Sequence, residues 1–181
     1  MNKPIQDLQE EHGGIMQMLK VMDQVAGRIK SQKEVNKEHL DQILEYLTVF
    51  ADKCHHGKEE EILFPELLKD ASYEQIVHEL LGEHMTGRDY IWGIAESVKL
   101  YNNGNPHAYH IAVNMHGYIQ LLTEHIQKEN ILFIKVDKGL PPELQRNMEE
   151  RFEVLENNVV GSGKHEMYHD WLHKLKDMYL L

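Results

Sequence analysis

Two stretches of this chain repeat one pattern. Residues 56–64 read His-Gly-Lys-Glu-Glu-Glu-Ile-Leu-Phe, and residues 125–133 read His-Ile-Gln-Lys-Glu-Asn-Ile-Leu-Phe. Both are His-x3-Glu-x-Ile-Leu-Phe. A Glu-His pair lies upstream of each, Glu11-His12 and Glu83-His84; His12 precedes His56 by 44 residues and His84 precedes His125 by 41. The chain therefore reads as two copies of one helical hairpin. Each copy has a lone histidine on its first helix and a His-x3-Glu on its second. Two such hairpins pack as a pseudo-symmetric bundle.

The hydrophobic pattern agrees with that reading. Apolar residues recur at three- and four-residue spacing, and no segment alternates like a strand. Helices are predicted over about 4–31, 34–69, 73–101 and 107–137. The Asn102-Asn103-Gly104-Asn105-Pro106 cluster is a strong stop and turn between the last two. Gly57 and Pro65 are points where the second helix could bend. Long amphipathic segments joined by short polar turns imply an all-α, up-down-up-down four-helix bundle over residues 1–139. Two shorter helices, about 143–157 and 162–179, form an appended C-terminal hairpin over residues 140–181. It is expected to pack on the bundle or on a second subunit, so a homodimer is one expectation.

A spacing of four puts His56 and Glu60 on one helix face, and likewise His125 and Glu129. With His12 and His84, these residues lie on or beside the inward stripes, near mid-length. Six side chains then converge at one level of the core. Two carboxylates buried there without partners would be costly, and cations remove that cost. Four imidazoles and two carboxylates suit iron or manganese. Two six-coordinate ions need twelve donor positions. The six residues, with a bridging oxo or hydroxo, leave about two open for O2, NO or peroxide.

This ligand pattern resembles the hemerythrin-like family of HHE cation-binding domains over about residues 5–138. The resemblance implies two iron ions, oxo- or hydroxo-bridged, with His12, His56, His84 and His125 as terminal ligands and Glu60 and Glu129 as bridges. Manganese or zinc are the alternative metals. Oxygen carriers of the family resemble a five-histidine site, with a second histidine one turn after the third-helix ligand. Here that residue is Arg88, so the resemblance implies a four-histidine centre, more similar to bacterial members linked to nitric-oxide and oxidative stress and to iron-centre repair.

The neighbours of these residues receive plainer readings. His55 is rotated about 100° from His56 on an α-helix and reads as a surface or supporting residue. Glu59 and Glu61 read as a solvated face, with either an alternative carboxylate if the helix kinks at Gly57. Cys54 reads as a small buried apolar residue rather than a redox thiol. His165, His169 and His173 form a surface row, with a lesser expectation that His165 comes near the metals. Tyr46 and Tyr118 read as core residues that could line the pocket.

Composition narrows the function classes. The 19 basic against 30 acidic residues give a net charge of −11, which disfavours nucleic acid and membrane surfaces as partners. One cysteine cannot form an internal disulfide. No apolar run reaches membrane-spanning length and no secretory leader is evident, so the expected location is cytoplasmic. Gly-rich phosphate loops, Ser-His-Asp arrangements, CxxC and His-Glu-x-x-His are all absent. The resulting expectation is a non-haem di-iron protein that binds or senses O2, NO or peroxide, or handles iron under stress, with a redox partner unspecified. A di-iron oxidase or peroxide-consuming enzyme is the alternative.

Overall fold

A computed structural model describes residues 3–101, 107–161 and 164–181. The polar cluster at residues 102–106, expected as a turn, lies outside them. Helix α1 spans Lys3–Lys30, with Pro4 tolerated in its first turn because the amide it lacks would be unpaired there. The second arm begins as α2 (Lys37–Glu45), where the Asn36 side chain accepts a hydrogen bond from the Glu38 amide. It continues as π-helix over Tyr46–His56 and Glu59–Leu63, and ends as α3 (Phe64–Leu67) with Pro65 in its first turn. Helix α4 (Glu74–Lys99) and helix α5 (His107–Asp137) form the second hairpin. Helices α6 (Pro142–Val159) and α7 (Lys164–Tyr179) follow, with Gly161 between them at φ 85°, a left-handed conformation that favours glycine.

The fold is thus an all-α bundle plus C-terminal helices, with no strand among the described residues. Helix α5 packs against both α1 and α4, while α7 lies along α1. Among the described residues, no helix is long and apolar enough to cross a membrane.

The core is divided by a polar layer. One apolar cluster includes Ile15, Leu19, Leu47, Phe50, Ile94, Met115, Tyr118 and, from α7, Leu172 and Leu175. The other includes Leu8, Ile62, Leu63, Phe64, Leu80, Leu132 and Phe133, with Met148 and Phe152 from α6. His12, His84, His125 and Glu129 lie in sequence between members of the two clusters. Apolar packing on both sides excludes water from this layer, and the layer contains the chemistry.

Candidate metal centre

The second arm explains the site's local geometry. A π-helix closes hydrogen bonds from residue i to i+5 rather than i+4. The Gly57 amide donates to the Asp52 carbonyl, and the Phe64 amide to the Glu59 carbonyl. The wider turn makes neighbouring side chains diverge less than in an α-helix. His55 and His56 therefore both enter the core, and Glu59 falls one turn after His55. Gly57 itself keeps helical angles, φ −60° and ψ −41°, so the departure is one of winding rather than a kink. Leu155 of α6 packs over this glycine, and a Cβ there would lie 3.5 and 3.6 Å from the Leu155 methyl carbons, an ordinary contact.

Two groups of potential ligand atoms result. His56, Glu59, His84 and His125 form one; His12, His55, Glu59 and Glu129 form the other. All seven residues are buried. Glu129 reaches both groups, with Oε1 3.0 Å from His125 Nε2 and Oε2 3.1 Å from His12 Nε2. Glu59 does the same, with Oε1 3.6 Å from His55 Nε2 and Oε2 3.5 Å from His84 Nε2.

Of the residues singled out from the sequence, His12, His56, His84, His125 and Glu129 come together here. Glu60 does not. Its side chain is 26% exposed, against 0% for Glu59, and it accepts hydrogen bonds from His84 Nδ1 and Arg88. Glu59 rather than Glu60 lies in the two groups, and His55, read as a surface or supporting residue, is buried among them. Five imidazoles face the cavity rather than four, although Arg88 stands where a fifth was sought. The doubled His55-His56 and the run Glu59-Glu60-Glu61 were the sequence signals of an ambiguous register.

Outside the cavity the rings are held from behind. His55 donates from Nδ1 to Glu11, His84 to Glu60 and His125 to Glu83, at 2.9, 2.7 and 2.8 Å. His12 Nδ1 lies 3.2 Å from Asn130 Oδ1, and His56 Nδ1 lies 3.5 Å from Asp52 Oδ1. For His55, His84 and His125 the carboxylate accepts the Nδ1 proton, which favours the tautomer with Nε2 free as a ligand atom. Cations hold the partners in turn: Lys58 bridges Glu11 and Glu156, and Lys128 bridges Glu79 and Glu83.

The inner face has the reverse problem. His84 Nε2 and His125 Nε2 stand 3.0 Å apart, and each ring has committed its Nδ1 proton outward. Two lone pairs facing at that distance repel unless a proton or a metal ion lies between them. Both oxygens of Glu59, Glu129 Oε1, His55 Nε2 and both nitrogens of His56 are buried without a hydrogen-bond partner. Unsatisfied buried polar atoms each cost free energy, and several in one cavity demand an occupant. Burial and the nearby Glu129 charge push the Glu59 carboxyl well up. Burial would also raise Glu129, but the surrounding imidazoles hold it well down. Burial lowers His56 far below the ordinary imidazole range, keeping it neutral. Burial would lower His84 too, but the Glu129 and Glu60 carboxylates raise it by hydrogen bond and charge. Imidazole nitrogens and inward carboxylates are the donor set that divalent and trivalent metals take.

Other candidates fall elsewhere. Cys54 is buried and free. His165 lies against Phe50 and, with His169, lines a cleft of about 200 Å3 beside Glu11 and Lys58. None of His165, His169 and His173 belongs to either inner group. Tyr46 and Tyr118 are buried in the adjoining apolar cluster, and the Tyr118 hydroxyl has no partner.

The sequence model of the family described as Hemerythrin HHE cation binding domain matches residues 3–136, most of the chain. The chain belongs to that family. It shows no significant match to a curated protein or to a solved structure. Family and buried His/Glu cluster agree on metal binding.

Proposed function

We propose that this member of the hemerythrin HHE cation-binding family holds two iron ions and binds or senses one small molecule, O2, NO or peroxide. The ligands are His12, His55, His56, His84, His125, Glu59 and Glu129. The observation that carries the reading is the Glu59 carboxylate, wholly buried, with both oxygens unpartnered and each turned toward a different set of imidazoles.

The donor count makes the reading specific. Five imidazole nitrogens, two carboxylates that could each reach both positions and one oxo or hydroxo would fill eleven of twelve sites. His56, His84 and His125 would complete one position. His12 and His55 would leave one site open at the other. One open site suits a reversible or sensing role better than chemistry that needs two reactants side by side. Burial of every ligand limits access to molecules of a few atoms. When bound, the metal pair supplies redox and Lewis-acid chemistry. The chain supplies orientation, burial and imidazole and carboxylate donors.

Anaerobically purified protein should contain two irons per chain and, once oxidised, a near-ultraviolet oxo-bridge band. O2 or NO should change the spectrum with a stoichiometry of one. Glu59→Ala should lose most of the iron, and an unchanged iron content in that variant would refute the centre. Sustained turnover with a reductant or peroxide would instead favour the oxidase or peroxide-consuming reading.

A further inference from the structure

One guanidinium ties together the supports of two imidazoles. Arg88 donates from Nε to Asp52 Oδ1 at 2.8 Å and from Nη2 to Glu60 Oε1 at 2.6 Å. Glu60 Oε1 also accepts from His84 Nδ1 at 2.7 Å, and Asp52 Oδ1 lies 3.5 Å from His56 Nδ1. The two rings lie parallel, with centroids 3.8 Å apart and planes 15° from each other. Asp52, His56 and Glu60 recur every four residues on the second arm, and His84 and Arg88 are four apart on α4. The five side chains form one lattice across two helices. It backs a single inner group: the supports of His12 and His55 are Asn130 and Glu11, which Arg88 does not touch.

We propose that Arg88 is a positioning residue for one metal position only, that of His56, Glu59, His84 and His125. It acts by holding Asp52 and Glu60 against the Nδ1 faces of His56 and His84. The inference rests on the metal-centre reading above and extends it to a residue that contacts no ligand atom. The fork matters as much as the charge. A planar guanidinium fixes two carboxylates at a set separation, which an ammonium does not. Outer partners of metal-bound histidines are worth roughly 10–100-fold in metal affinity.

The test is an anaerobic ferrous titration of metal-free wild type, Arg88→Ala and Arg88→Lys, together with 15N spectra of the imidazoles in the metal-free proteins. Wild type should bind two ions. Arg88→Ala should bind one with unchanged affinity and the other at least about tenfold more weakly, and Arg88→Lys should fall between. Without metal, Arg88→Ala should move the His56 and His84 signals and leave His12 and His55 in place. Arg88 is 39% exposed, so truncation removes little packing; if Arg88→Ala fails to fold, Arg88→Lys answers on the same two readings. Equal weakening of both ions, or two wild-type affinities with unmoved imidazole signals, overturns the proposal. Should wild type take up no iron, the metal-centre reading fails, while the imidazole spectra still decide whether Arg88 positions the rings.

Discussion

At the scale of the residue, Glu59 and Glu60 separate what was legible from what was not. Both copies of the repeat spell His-x3-Glu, and in α5 that spacing places His125 and Glu129 together, 3.0 Å apart. In the second arm the same spelling fails, because π-turns advance the register by one residue and seat Glu59 beside His55. Residue types were readable; the backbone winding that chooses among adjacent glutamates was not. The pair gives a sharp comparison. Glu59→Gln should abolish binding of both ions, since Glu59 reaches both groups. Glu60→Gln should leave two ions bound, with one weakened roughly 10–100-fold. In metal-free protein, Glu59→Gln should cost little stability, because it replaces a buried carboxyl whose oxygens have no hydrogen-bond partner and whose charge burial already disfavours. Metal analysis and urea unfolding of the two variants check both statements. Cys54 supplies a second prediction at this scale. Burial, reinforced by Glu11 and Glu156 and opposed by Lys58, pushes its thiol up to about 12. Folded protein at pH 8 should therefore react with a thiol-specific disulfide reagent only as fast as it unfolds, and rapid labelling of native protein would contradict the buried placement.

At the scale of the element, the hydrophobic repeat fixed the order of the helices, and the local chemistry explains their ends. The Ile-Leu-Phe tail of the repeat shows how far the two copies diverge. Leu63, Phe64, Leu132 and Phe133 all enter the second apolar cluster, but Ile62 is buried while its counterpart Ile131 is 60% exposed. The shifted winding in the second arm turns one more residue inward. No pattern of residue types reports that, because α- and π-turns present nearly the same apolar stripe over a few residues. Where α4 crosses α5, the contact is set by glycine. A Cβ at Gly117 would stand 2.3 Å from Tyr90 Cε1, so the ring must move. Gly117→Ala is expected to destabilise the protein by about 1–3 kcal/mol through overpacking. Gly27→Ala, with nothing within 4 Å of its Cβ on the exposed face of the last turn of α1, should instead stabilise by about 0.4–1 kcal/mol through the unfolded chain. Urea midpoints of the two variants should move in opposite directions.

At the scale of the whole molecule, the question is whether the C-terminal helices unfold with the bundle. Their contacts argue that they do. Leu172 and Leu175 of α7 join the same apolar cluster as α1 and the second arm. The Tyr179 hydroxyl shares a 2.8 Å hydrogen bond with His39 Nδ1, and the Arg28 guanidinium lies over the Tyr179 ring. The Tyr168 hydroxyl donates to Glu45 Oε1 at 3.2 Å. Burial, with the Glu45 charge and that hydrogen bond, pushes the Tyr168 phenol up to about 12, against about 10 in an unfolded chain. The native state therefore binds this proton more tightly than the unfolded state does. Its contribution is fully present below pH 10 and is lost as pH rises through about 12. Tyr168→Phe removes the titration. Wild type should then lose more stability than the variant between pH 9 and pH 11, in a single urea transition seen alike by helical circular dichroism and by tyrosine fluorescence. Two separated transitions, or equal losses in both proteins, would show that α7 leaves the bundle before the bundle unfolds. The apolar layer that α7 completes, which closes one side of the metal centre, would then be a lid rather than a wall.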